Sequence, residues 1–128
     1  MKLLLDTCAF LWIVGDASAL SKRARALFRA ADHEVYLSAA SAWEIAVKHG
    51  LGRLPLPAPP ERFVREMRGA HGIAPLPIDE ESALHVSRLP SLHRDPFDRM
   101  LVSQAIVHGM TILTPDALIT QYPARTDW

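Results

Sequence analysis

Short runs of consecutive apolar residues alternate along this chain with stretches in which apolar residues recur every three or four positions. The short runs are typical of strands buried on both faces of a sheet, and they cover residues 3–5, 35–37, 73–78 and 111–114. Pro75 and Pro77 confine the third predicted strand to an edge of the sheet, because proline cannot donate to a neighbouring strand. A further short strand is predicted over residues 124–128.

The amphipathic stretches predict helices between these strands. A helical stretch is predicted over residues 10–14, and further helix starts are favoured by a capping residue or an initial proline at Ser21, Ser41, Pro60, Asp79 and Asp95. Ser41 and Glu44 have the spacing of a capping box, which places Glu44 in the first turn of its helix. The helix after Asp79 is predicted to carry its apolar residues at Ala83, Leu84, Val86 and Leu89. Strands that alternate with helices predict an α/β fold with a mostly parallel sheet covered on both faces.

The composition fits one domain, and we expect it to span residues 1–128 without a dividing linker or an internal repeat. The hydrophobic fraction is 49% and the charged fraction 22%, which is typical of globular proteins. A single cysteine excludes an internal disulfide and a cysteine-based zinc cage, so a cytoplasmic setting is expected. No apolar run approaches the length of a membrane span, and no membrane partner is predicted. The 14 basic and 14 acidic residues cancel, which does not favour a general nucleic-acid binder but leaves open what one cleft does.

Four acidic residues fall where a parallel sheet gathers its functional groups. Asp6 closes the first predicted strand, Glu44 and Asp98 lie in the first turns of predicted helices, and Asp116 follows the fourth strand. Helices that follow parallel strands begin at the carboxyl edge of the sheet, so these acids are expected to meet there. Like charges in one site oppose ionisation unless a cation compensates them. Because the set offers only oxygen ligands, it favours Mg²⁺ or Mn²⁺ over zinc and points to phosphoryl chemistry.

Each acid also has a structural alternative. Asp6 fits a turn residue after a strand. Glu44 fits a capping box with Ser41 or an ion pair with Lys48. Asp95 is the natural N-cap of the helix that begins at Pro96, which leaves Asp98 at its third position, where the helix dipole favours an acid. Asp116 fits a capping residue of a short turn.

Other chemistry-bearing side chains are predicted to be structural. The histidines have no ligand spacing among themselves, and we interpret all six as structural or surface residues: His33, His49, His71, His85, His93 and His108. Trp12 and Trp43 are predicted in the core or in an interface. Cys8 is predicted to be buried rather than reactive.

The acidic residues lie in segments that together resemble the PIN-domain ribonucleases of the VapC toxin type. The segments are Leu3-Leu4-Leu5-Asp6-Thr7, Ser41-Ala42-Trp43-Glu44-Ile45-Ala46-Val47-Lys48, His93-Arg94-Asp95-Pro96-Phe97-Asp98-Arg99 and Thr111-Ile112-Leu113-Thr114-Pro115-Asp116. Each segment alone is weakly specific, but their order and spacing cover essentially the whole chain. The resemblance implies a three-layer α/β/α sandwich and Mg²⁺- or Mn²⁺-dependent endonucleolytic cleavage of RNA by a metal-activated water.

The resemblance also assigns roles to residues. Asp6, Glu44, Asp98 and Asp116 match the four acidic positions of the family. Asp6 and Asp98 would be the main metal ligands, Glu44 would hold the metal or its water, and Asp116 would complete the acidic set. Thr7 and Thr114 resemble hydroxyl residues that support these acids, and Asp95 is an alternative auxiliary ligand. Relatives imply a homodimer and a cognate antitoxin that inhibits the nuclease. Candidate RNA contacts are the basic residues Lys22, Arg23, Arg25 and Arg29, together with Arg94 or Arg99.

Two other functions compete with this interpretation. A phosphatase of the haloacid-dehalogenase type also begins with an apolar strand that ends in aspartate, but it needs a second acid at the position of Cys8. A non-catalytic PIN-like domain that only binds RNA or protein is the second alternative, and the intact set of four acids argues against it.

Overall fold

Five parallel strands form the central sheet of the computed structural model, which describes residues 1–128. The strands are β1 (Lys2–Leu5), β2 (Glu34–Ser38), β3 (Ala74–Leu76), β4 (Thr111–Leu113) and β5 (Arg125–Asp127). Their order across the sheet is β3-β2-β1-β4-β5, and every neighbouring pair is parallel. The predicted parallel sheet is therefore confirmed, with the proline-containing strand β3 at one edge.

Both faces of this sheet are buried, which explains why its strands are apolar at consecutive positions. Along β1, Leu3 and Leu5 point into one hydrophobic core, and Leu4 points into the other. All three leucine side chains are fully buried. The expected three-layer arrangement follows from these two cores, because each one is closed by helices.

Six helices close the two cores: α1 (Thr7–Val14), α2 (Lys22–Arg29), α3 (Ala39–Gly50), α4 (Pro60–Ala70), α5 (Glu80–His85) and α6 (Pro96–His108). Residues of α1, α2 and α4 pack in the first core, and the buried face of α6 packs in the second. Ser21, Asp79 and Asp95 cap α2, α5 and α6 through side-chain oxygens, as predicted. Gly109 ends α6 in the left-handed conformation, at φ 66°. None of the helices is both long and apolar enough to cross a lipid bilayer.

The predicted start of α3 at Ser41 is wrong. Ser38, at the end of β2, is the N-cap, and its Oγ accepts a hydrogen bond from the Ala40 backbone N–H at 3.0 Å. The Ser38 hydroxyl in turn donates to Gln104 Oε1 at 2.5 Å. Ser41 consequently lies inside the helix, where its buried Oγ has no hydrogen-bond partner. Glu44 therefore sits in the second turn, and the capping-box alternative for this residue is excluded.

Three smaller expectations also change. The first helix begins at Thr7 rather than at Phe10, because the Asp6 side chain caps it. Ala83 and Leu84 are exposed, Leu84 by 66%, and Val86 and Leu89 lie beyond the end of α5 at His85, so none of the four forms a buried side of this helix. Trp43 is 57% exposed and lies edge-to-face against Phe97, so it is not a core residue.

Candidate functional site

The four predicted acids lie together at the carboxyl edge of the sheet. The chain order reverses between β1 and β4, which are neighbours, so the loops that follow these strands flank a topological switch point. A cavity of about 370 Å³ opens here, and its lining includes Asp6, Glu44, Asp98 and Asp116. Asp95 lines the same cavity. Their roles in chemistry stay a prediction, but the geometric requirement for a shared site is met.

Asp6 occupies the junction between β1 and α1. One carboxylate oxygen accepts a hydrogen bond from the Ala9 backbone N–H at 2.7 Å, and the other accepts from Thr114 Oγ1 at 2.5 Å. Burial raises the pKa of Asp6, these hydrogen bonds oppose the rise, and the nearby Asp116 carboxylate adds to it. The Cys8 thiol donates to the same carboxylate at 3.3 Å, and burial beside Asp6 raises the pKa of this thiol. Cys8 is therefore held in its unreactive thiol form.

Glu44 reaches the cavity from the second turn of α3 and is held by two side chains. Thr7 Oγ1 donates to one oxygen of Glu44 at 2.5 Å, and Lys48 Nζ donates to the other. The pKa of Lys48 is raised, chiefly by this hydrogen bond. Both oxygens of Glu44 are therefore already engaged, and its orientation is fixed by residues of two different helices.

Asp98 lies at the third position of α6, and Asp95 is the N-cap, as predicted. Asp95 Oδ1 accepts hydrogen bonds from the backbone N–H groups of Phe97 and Asp98 at 2.9 and 3.2 Å. Burial and the neighbouring carboxylates, Asp95 first among them, raise the pKa of Asp98 to about 6. Asp116 caps a turn through the Leu118 N–H at 2.8 Å, and its own N–H donates to Thr114 Oγ1 at 3.0 Å. Thr114 thereby links Asp6 to Asp116.

His93 is a residue of this region that sequence reasoning missed. Its Nε2 lies 3.3 Å from Asp98 Oδ2, and its side chain is only 12% exposed. His93 is structural, as all six histidines were interpreted to be, but its contact with Asp98 was not predicted. The available signal was its position five residues before Asp98 in the same segment.

The carboxylates fit a hard divalent cation. All donors are oxygens. Burial first, and neighbouring carboxylates second, raise the pKa values of Asp6 and Asp98, and a bound cation would offset both effects. No three His, Cys, Asp or Glu side chains close into a compact metal cage. An ion that keeps several waters and takes few protein carboxylates, as Mg²⁺ does, matches such an open arrangement. Asp6 and Asp98 could hold such an ion, with waters filling its other coordination positions.

The positive charges at this cavity are not those predicted for RNA contact. Lys48 and Arg53 line it, and Arg53 makes no ion pair. Arg23 is instead paired with Asp127 at 2.6 Å, and Arg25 with Asp16 at 2.6 Å. Arg99 also has a structural role, because it donates to the carbonyl oxygens of Pro90 and Val86.

A second, larger cavity lies apart from the acids. It measures about 730 Å³ and lies between α3 and α4, beside β3. Its only carboxylate is Glu61, which shares the lining with Arg65 and Arg68. The cavity lacks a convergent set of catalytic groups, so size does not identify the functional site in this molecule.

The sequence of this chain is similar to those of known proteins. The family model for the PIN domain matches residues 3–124. Ribonuclease VapC16 from Mycobacterium tuberculosis is 39% identical to this chain over 61 residues, which cover 48% of this chain and 43% of that relative. The matched part is thus less than half of the relative's length.

Solved structures share the fold. A structure of VapBC2 from Rickettsia felis bound to a DNA fragment from their promoter has a TM-score of 0.74 at 12% identity, covering 99% of this chain and 98% of that chain. A structure of DNA-bound VapBC from Salmonella typhimurium has a TM-score of 0.67 at 18% identity, covering 99% of this chain and 97% of that chain. At such identities the likeness establishes the α/β architecture alone.

Proposed function

This chain belongs to the PIN-domain family, and from the acidic edge of its sheet we propose that it is a divalent-metal-dependent endoribonuclease. The observation that carries the proposal is the cavity into which four separate segments bring Asp6, Glu44, Asp98 and Asp116. Burial raises the pKa values of two of these acids, Asp6 and Asp98, and perturbed pKa values are typical of functional sites. Membership of this family leaves the haloacid-dehalogenase alternative without support.

We further propose that the protein is the toxin of a toxin–antitoxin pair and acts in the cytoplasm. The similarity to a ribonuclease named VapC16 and to VapBC structures supports this assignment. The expected partners are an RNA substrate, a cognate antitoxin and a second copy of the chain. An antitoxin that offers an arginine to the acidic cavity would inhibit the enzyme, because a guanidinium pairs bidentately with carboxylates.

The residues of the cavity have different roles in the proposed hydrolysis. Asp6 and Asp98 would hold a Mg²⁺ or Mn²⁺ ion, and Asp116 would complete the acidic set. When bound, the ion supplies a lowered pKa for water and charge neutralisation at the phosphate. Glu44, whose orientation Thr7 and Lys48 fix, would orient the attacking water through a remaining lone pair of a carboxylate oxygen.

The rest of the site handles the substrate. Arg53 supplies positive charge beside the acids, where the phosphates that flank the scissile bond would lie, whereas Lys48 is paired with Glu44. Thr114 keeps Asp6 and Asp116 in place during turnover through its two hydrogen bonds. The resemblance to PIN-domain ribonucleases implies products that end in a 5′-phosphate and a 3′-hydroxyl.

Cleavage of pooled cellular RNA by the purified, antitoxin-free protein tests the proposal. We expect cutting with Mg²⁺ or Mn²⁺ and none with EDTA. Asp6→Asn keeps a side chain that caps α1 but removes the charge, so it is expected to lower the rate by more than about 100-fold, the upper range for losing partners of metal ligands. Asp79→Asn makes the same change at the N-cap of α5, which does not line the cavity, and should retain activity.

The outcomes separate the alternatives. Metal-dependent cutting that Asp6→Asn abolishes and Asp79→Asn retains would support the nuclease and its site. Cutting that survives Asp6→Asn would refute the assigned site. Binding of RNA without cutting under either metal would favour a non-catalytic PIN-like domain.

A further inference from the structure

Asp98 is the end of a chain of hydrogen bonds that runs away from the cavity into the core. His93 Nε2 lies 3.3 Å from Asp98 Oδ2, and His93 Nδ1 lies 2.7 Å from the Tyr122 hydroxyl oxygen. Arg99 Nη1 donates to the same hydroxyl oxygen at 3.0 Å. The chain joins the loop before α6, the first turn of α6 and the segment before β5.

The partners in this chain determine which nitrogen of His93 carries the proton. Arg99 has only donors, so the Tyr122 oxygen accepts from it. The tyrosine keeps one hydroxyl proton, and of its two neighbours only His93 Nδ1 can accept it. In the neutral ring Nδ1 is then the acceptor and Nε2 carries the proton. This tautomer points an N–H group at the Asp98 carboxylate.

The far end of the chain is firmly anchored. Tyr122 is 3% exposed and belongs to the second hydrophobic core. Arg99 also donates to the backbone carbonyls of Pro90 and Val86, and its Cζ lies 5.9 Å from the centroid of the Tyr122 ring. A ring fixed on one side by such partners restricts the orientation of the carboxylate that it contacts on the other side.

We propose that His93 is a positioning residue for the Asp98 carboxylate. In this proposal the Tyr122 hydroxyl, which accepts a hydrogen bond from Arg99, determines that Nε2 of His93 carries the proton and can donate to Asp98. The proposal rests on the proposed function, since positioning matters only if Asp98 acts in the cavity. Hydrogen bonds from neighbouring residues generally orient metal-binding side chains in this way. His93 does not line the cavity and needs no contact with the RNA.

Three variants at two positions test the proposal. Tyr122→Phe keeps the buried ring and removes the hydroxyl, so it removes the hydrogen bond to His93 Nδ1 without creating a cavity in the core. His93→Ala removes the donor to Asp98. His93→Gln keeps a side-chain N–H near the position of Nε2 and serves as the conservative rescue. His71→Ala is the matched control, because His71 is also half-buried but bonds only to a backbone carbonyl of its own helix, at 2.9 Å.

The first measurement does not depend on RNA cleavage. Nitrogen-15 NMR of the histidine rings in the native protein should show His93 protonated on Nε2. Tyr122→Phe should increase the fraction protonated on Nδ1, because only the contact with Asp98 then favours Nε2 protonation. Calorimetric titration with Mn²⁺ should show about 10- to 100-fold weaker binding for His93→Ala, partial recovery for His93→Gln and no change for His71→Ala.

Kinetics add the functional readout. His93→Ala should lower kcat by about 10- to 100-fold with little change in KM, because the RNA contacts remain, and His93→Gln should restore much of the activity. A Nδ1-protonated His93 in the native protein, or equal Mn²⁺ affinity in native protein and His93→Ala, would overturn the proposal. If no RNA is cut at all, the proposed function fails while NMR and calorimetry still decide the role of His93.

Discussion

Asp98 lies where burial and neighbouring carboxylates both oppose its ionisation. Its folded-state pKa of about 6 is above the ordinary value of 3.8. The folded protein therefore binds this proton more tightly than the unfolded chain does. Between these two pH values the metal-free protein loses stability as the pH rises, and above pH 6 the full penalty is present.

Asp98→Asn should consequently stabilise the metal-free protein while abolishing cleavage. The amide is neutral at every pH, so we expect its Tm in EDTA to exceed that of the native protein by several degrees at pH 8. The difference should shrink towards zero near pH 4, where the native carboxyl is protonated in the fold. Thermal unfolding monitored by circular dichroism across this pH range measures the effect.

Asp32→Asn is the control for this prediction at the same scale. The Asp32 side chain is 87% exposed and its Oδ1 lies 4.0 Å from His33 Nε2, so Asp32→Asn should change Tm much less than Asp98→Asn does. A Tm for Asp98→Asn that lies below the native value at pH 8 would mean that Asp98 does not carry the predicted repulsion.

At the scale of elements, the strands were predictable because both faces of the sheet are buried. Consecutive apolar residues such as Leu3 and Leu4 then predict a strand whose two faces are both buried. Helix starts were predictable where one capping residue stood alone, as at Ser21 and Asp95. The start of α3 was not, because Ser38 and Ser41 compete and the partner that favours Ser38 is Gln104, 66 positions away. The sequence around Ser38 gives no indication of that contact.

The two serines at this junction give a test of the element itself. Ser38→Ala removes the N-cap and leaves Gln104 Oε1 without its donor, so it should lower the free energy of unfolding by about 1–3 kcal/mol. Ser41→Ala removes a buried hydroxyl that has no partner and adds a better helix former, so it should raise that free energy by about 0.5 kcal/mol. Urea unfolding with a common m-value measures both. If Ser41→Ala lowers the free energy of unfolding and Ser38→Ala does not, the capping box of Ser41 and Glu44 would be the correct interpretation.

At the scale of the whole molecule, the acidic site was predictable from topology alone. Asp6 and Asp116 follow neighbouring strands, and Asp98 begins a helix that returns to the sheet, so a parallel order brings them to one edge. His93 was predictable only in part: it lies five residues before Asp98, but its anchor Tyr122 lies 29 positions further along the chain. Contacts between distant segments therefore set the limit of what the sequence reveals.

The ion pairs of the basic residues also depend on contacts between distant segments. The protein has no net charge, so attraction for RNA must come from cations that are locally unopposed. Arg23 lies in the basic stretch of α2, but Asp127 neutralises it through two hydrogen bonds of 2.6 and 2.7 Å. Arg53 lines the acidic cavity without such a partner. These partners could not be read from the pattern of basic residues along the chain.

Arg53→Gln and Arg23→Gln therefore form a matched pair for RNA binding. Affinity for single-stranded RNA, measured by fluorescence anisotropy in an Asp98→Asn background that prevents cleavage, should fall for Arg53→Gln. Its salt dependence, as log K against log salt, should flatten by about 0.7, because the variant neutralises one phosphate fewer. Arg23→Gln should leave affinity and slope unchanged, because its guanidinium is already committed to Asp127. If the pair behaves in the reverse way, RNA lies along α2 and the ion pair opens to admit it.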